Sequence, residues 1–199
     1  MRRSVFTAGC LLLIFSWVFA QNGPASTQES ASADSSNQTY RNASLGFSYR
    51  IPFGWVDRTQ ALQQGSESAT SHVLLGIFER PPEATGETIN SSVVIASENA
   101  SSYPKVKTPL DYFGPLAEAT TSQGFQVTKQ PYSFVVGKRQ VVRADFSKAR
   151  GKLTMCQSSL VVMRKGYIVS FTFIAGSFNE VDELIQNLNF GAASHSAHE

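Results

Sequence analysis

The sequence predicts an α+β domain, and three observations support this. Four β-rich runs follow one another between Phe125 and Ala175, parted by gaps that each contain a glycine. An amphipathic helical pattern comes directly after the last of them. A second helix start lies ahead of them at Thr108-Pro109, with three more strand-like runs earlier still. Strands grouped in this way, without a βαβ alternation, favour an antiparallel sheet with helices laid against it.

The four runs are 125–136, 139–146, 152–163 and 167–175. Gly137-Lys138 suits a two-residue primed turn, and the gaps at 147–151 and 164–166 suit longer hairpin loops containing glycine. The expected result is an antiparallel meander. Residues 160–163 and 168–174 are almost continuously apolar, so these strands are expected to be covered on both faces.

Ser177 and Glu180 then form a capping box, hydroxyl and carboxylate each meeting a backbone N–H at a helix start. Phe178, Val181, Leu184, Ile185 and Leu188 share one stripe, with Asp182, Glu183, Gln186 and Asn187 opposite. This predicts a helix over 178–187. The other helix is expected over 108–122, with Pro109 at its first position and Asp111 in its first turn. Gly114-Pro115 should kink or interrupt it, and Gly124 should end it. The earlier strands are expected at 47–51, 72–79 and 92–97.

Outside this unit the composition changes. Arg2 and Arg3 precede an apolar stretch over 5–20 that ends in Val18-Phe19-Ala20. That is the pattern of a cleavable export signal, and the stretch is short of the roughly 20 apolar residues of a membrane span. Cys10 precedes most of the apolar run, the reverse of a lipoprotein signal, and the bare Arg pair is an ordinary n-region. Residues 21–38 hold little that is bulky and apolar, so they read as a linker without a core. The expected organisation is a signal over 1–20, a linker over 21–38, one domain over 39–190 and a tail over 191–199.

The chain has 17 basic and 15 acidic residues, and two of the basic ones lie in the signal. The exported remainder is neutral. That gives no footprint for nucleic acid and none for an anionic membrane. Cys156 is left without a second cysteine once the signal is gone, so the domain is expected to stand on its core. At about 150 residues a domain buries roughly 70% of its unfolded surface.

Tyr40-Arg41-Asn42 leads into Leu45-Gly46-Phe47-Ser48-Tyr49-Arg50-Ile51-Pro52 and then Gly54-Trp55. This segment resembles the opening motif of the PsbP/Mog-like superfamily, a Gly-Phe pair starting an extended run that Pro-x-Gly-Trp closes. The final hairpin, helix and Leu188-Asn189-Phe190 resemble its C-terminal end. The resemblance implies an α/β/α sandwich with a central antiparallel sheet flanked by helices. It further implies a non-catalytic binding or assembly factor. Pro52 cannot donate to a ladder, Gly54 permits a tight turn, and Trp55 is expected to seal the core edge.

No catalytic, cofactor or metal site is expected. The domain has one histidine, His72, and no Gly-x-Ser-x-Gly elbow. His195 and His198 sit in the tail, and Glu79, Glu83 and Glu87 flank a Pro-Pro loop as solvated charges. Cys156 is read as a small buried hydrophobe. In a meander the first and third turns share one end of the sheet, bringing Lys138 and Arg139 near Arg164 and Lys165. This edge is the candidate for an acidic protein or acidic surface partner. The alternative is a carrier of a small apolar ligand, lined by Tyr112, Phe113, Phe125 and Phe134. Four Asn-x-Ser/Thr sequons occur, at Asn37, Asn42, Asn90 and Asn99.

Overall fold

Alternation and turn chemistry produce two antiparallel sheets in the computed structural model, which describes residues 38–65 and 71–191. The main sheet runs β3-β4-β5-β9-β8-β7-β6. Its strands are β3 (Val56–Asp57), β4 (Ser71–Phe78), β5 (Ser92–Asn99), β6 (Gln126–Val136), β7 (Arg139–Arg150), β8 (Leu153–Arg164) and β9 (Tyr167–Ala175). The small sheet is β1 (Thr39–Asn42), β2 (Phe47–Arg50) and β10 (Leu188–Phe190), in the order β1-β2-β10. The expected signal peptide, Cys10, Asn37, His195 and His198 lie outside the described residues, as do the linker up to Gln38 and the tail beyond Gly191.

The meander is present, with tighter turns than expected. Val136 pairs with Arg139, Arg150 with Leu153 and Arg164 with Tyr167, so all three connections are two-residue turns. Gly137 and Gly151 take positive φ at the first central position. Lys165 and Gly166 both do so in the third turn, at φ 48 and 82, as a type I′ turn requires. The longer loop expected over 147–151 is strand up to Arg150, because Ser147, Lys148 and Ala149 keep their ladder pairing with Cys156, Met155 and Thr154. β8 is buried on both faces, as its apolar run predicts, whereas β9 is buried at Val169, Phe171, Phe173 and Ala175 but only half-buried at Ser170, Thr172 and Ile174 on its other face.

Three helices cover the main sheet: α1 (Thr59–Gln64), α2 (Phe113–Ser122) and α3 (Phe178–Ile185). The α2 helix starts at Phe113 and not at 108. Pro115 has no N–H to contribute, and only a first turn tolerates that. Residues 107–111 form a turn in which the Asp111 carboxylate accepts from the Lys107 and Thr108 amides. At α3, Ser177 Oγ accepts from the Glu180 amide at 3.3 Å. The Glu180 carboxylate reaches one residue further back than a capping box requires, to the Gly176 amide at 3.0 Å.

Two cores fill the two faces. On one, Val93, Ile95, Leu160, Phe171 and Phe173 meet Val181, Leu184 and Ile185 of α3 and Phe47 and Tyr49 of β2. On the other, Ala144, Phe146, Val161 and Ile168 meet Tyr112, Phe113 and Leu116. The α1 helix joins this second side, its Leu62 lying where a Cβ on Gly76 would fall. Helices therefore cover both faces, and α3 shares its side with the small sheet, which the implied sandwich did not include. Tyr49 joins the parts by donating to the Leu184 carbonyl at 3.1 Å.

Candidate functional site

The two-residue turns bring the four predicted cations to one end of the meander. Lys138 and Lys165 are exposed turn residues, and Arg139 and Arg164 are half-buried strand residues beside them. The β7–β8 ladder ends at Val142 and Val161. Its register, carried on to the turns, sets Arg139 opposite Arg164. The Arg164 guanidinium lies against the β1–β2 turn, its Nη2 at 2.5 Å from where a Cβ on Gly46 would stand. Gly46 also has φ 68, a left-handed conformation that favours glycine. Burial, and then the Arg139 charge, hold Arg164 below the usual arginine range. No ion pair among the described residues joins any of the four cations to a carboxylate.

The charge of the whole chain conceals this arrangement. Residues 126–167 contain nine basic residues and one acidic, Asp145. The segment from residue 21 onward, outside that stretch, has six basic and fourteen acidic residues. The residues from 21 onward, neutral in total, are thus divided into halves of opposite sign, with the positive half concentrated on β6–β8 and their turns. Dividing the sequence at the meander boundaries would have revealed it.

The predicted ligand pocket is distributed differently. Tyr112, Phe113 and Phe125 come together in the core under α2, with Tyr112 and Phe113 each 2% exposed. Phe134 packs on the opposite face of the sheet, where its ring lies 4.8 Å from the Arg143 guanidinium carbon. Trp55 packs against the α3-side core, and the Pro52 carbonyl accepts from its amide across the Gly54 turn. Cys156 is buried, and desolvation, with Glu180 and Asp145 adding to it, pushes its thiol up. His72 is an exposed strand residue. The sequon asparagines Asn42, Asn90 and Asn99 use their side chains on neighbouring backbone amides.

Two buried polar clusters went unpredicted. Arg143, 4% exposed, donates to Asp145 at 2.7 Å, Asp182 at 2.6 Å and Ser158 at 2.9 Å. Burial opposes its charge, but the two carboxylates outweigh that and hold it above the usual arginine range. Tyr132 donates to Asp145, and burial first raises its phenol to about 12. On the other face, the buried Glu98 carboxylate accepts from the Tyr103 and Tyr112 hydroxyls. Alternation alone would have flagged Arg143 and Asp145, since both share the core-facing parity of Val141. Among the described residues no group of three His, Cys, Asp or Glu side chains is placed to hold a metal. No helix there is long and apolar enough to cross a membrane.

The fold is similar to that of cyanobacterial PsbP. The solution structure of cyanobacterial PsbP (CyanoP) from Synechocystis sp. PCC 6803 matches with a TM-score of 0.50 at 14% identity, covering 82% of this chain and 98% of that one. The Saccharomyces cerevisiae Ran-binding protein Mog1p matches at 10% identity with a TM-score of 0.46, covering 78% and 95%. LpqN of Mycobacterium tuberculosis, involved in cell envelope biogenesis, matches at 13% identity and 0.40, covering 70% and 79%. No family model and no curated protein sequence matches the chain.

Proposed function

We propose that this is an exported, non-catalytic binding module that takes up an acidic protein partner at the cationic end of its meander. One observation carries the reading: Lys138, Arg139, Arg164 and Lys165 gather at one sheet end with no ion pair to a carboxylate among the described residues, in the half of the domain that holds the positive charge. Such a surface steers an oppositely charged partner and fixes its orientation. Export rests on the 1–20 pattern, and the 21–38 stretch would give the module reach. The carrier alternative rests on Tyr112, Phe113 and Phe125 alone, since Phe134 packs elsewhere.

The test is affinity capture of the full chain, expressed in its own host, from the exported fraction. The reading expects a protein partner that is released by salt and lost on charge reversal of Lys138 and Lys165. An apolar small molecule retained in the native mass, with no protein bound, favours the carrier.

A further inference from the structure

The four cations differ in how they are held. Lys138 and Lys165 stand at turn tips on flexible stems. The Arg164 guanidinium lies against Gly46, and its Nη1 is buried with no hydrogen-bond partner among the described residues. Arg139 faces it across the strands at the point where the β7–β8 ladder has stopped. On the other side β9 pairs Tyr167 with Arg164, on the same face and 43% exposed. Arg139, Arg164 and Tyr167 thus form a row across three strands.

This row is unfavourable in isolation. Like charges directly opposite on neighbouring strands repel, and a buried N–H without an acceptor loses its water for nothing in return. An arriving oxyanion relieves the repulsion, offering two acceptor oxygens to the accessible atoms of the half-buried guanidinium pair.

We propose that Arg164 and Arg139 form a carboxylate-binding notch that anchors an Asp or Glu side chain of a protein partner, with Tyr167 as its flanking contact. The inference rests on the reading of this end as the partner surface and names the group that surface grips. Arg and Tyr are the side chains that dominate protein–protein interfaces, and the planar guanidinium matches a carboxylate in a way that lysine does not. A lipid surface attracts cations by their number near it and calls for no guanidinium lodged against a glycine.

The experiment titrates the full chain, purified from its own exported fraction, with a peptide of alternating Glu and Leu. Inorganic phosphate and phosphatidylglycerol vesicles are the parallel probes. The notch predicts peptide binding that falls about tenfold or more in Arg164→Gln, as expected for a lost charge-assisted pair. It predicts nearly the same loss in Arg164→Lys, which keeps the charge without the fork. Arg139→Gln provides a second variant should Arg164→Gln not fold. Wild-type affinity in Arg164→Lys overturns the notch, as does phosphate competing as well as the peptide, or binding to vesicles alone. If charge reversal of Lys138 abolishes binding while Arg164→Lys does not, only the notch fails. If the wild type binds none of the three probes, the notch and the partner surface fail together.

Discussion

Arg143 on β7 donates from Nη1 to Asp182 Oδ1 on α3 at 2.6 Å, while its Nε reaches Asp145 Oδ1 at 2.7 Å. One guanidinium therefore ties helix to sheet and neutralises a carboxylate buried on the same strand. Removing it leaves Asp145 buried and uncompensated. Arg143→Leu is expected to cost about 3–5 kcal/mol in urea unfolding. Asp182→Asn, at a position 52% exposed, should cost at most about 1 kcal/mol. Equal effects from the two would show that the Asp145 charge is not what Arg143 supports.

Gly46 combines a left-handed backbone with the seat of Arg164. Gly46→Ala should cost about 1–2 kcal/mol from φ alone. The added Cβ would meet only the far end of a flexible side chain, which can move aside. The same cost is therefore expected in an Arg164→Ala background, measured as a double-mutant cycle. A cost that disappears in that background would place it in the side-chain contact instead.

The Asp111 carboxyl lies below its ordinary range, first through the Lys107 amide and then through Thr108. A carboxylate lowered in the folded state stabilises above its unfolded value of about 3.9 and loses that contribution as pH falls through the folded one. Asp111→Asn should therefore be less stable than wild type at pH 7, and the gap should close below about pH 4. A gap independent of pH would mean that the carboxylate charge contributes nothing to the turn.

Burial raises the Cys156 thiol, and the thiolate is the reactive form. A thiol reagent should label Cys156 only as fast as the domain opens, accelerating in step with unfolding as urea is added. Rapid labelling of the native protein would contradict its burial.

Much of the fold could be read locally. The four meander strands and α3 show in alternation, glycine turns and the Ser177 cap, all of which act over a few residues. The small sheet does not, because Phe47 pairs with Phe190 across most of the domain, and no nearby residue signals it. The α1 helix is six residues long, too short for a periodicity, and its seat is the missing side chain of Gly76. At the candidate site, two-residue turns fixed which cations share an end, so those four could be placed from the sequence. Phe134 and Phe125 stand at positions of opposite parity, so alternation alone sends them to opposite faces, and the two register shifts of β6, between Val127 and Lys129 and between Lys129 and Tyr132, cancel. Each such shift reverses which face a residue meets.

The most direct measurement compares what wild type and a Lys138→Glu, Lys165→Glu variant capture from the exported fraction, across a salt series. Both substitutions lie at exposed turn positions, so the fold should be unchanged. The account predicts a partner held by the wild type, released as salt screens the contact, and absent from the variant. The same partner held equally by both proteins at every salt concentration would contradict it.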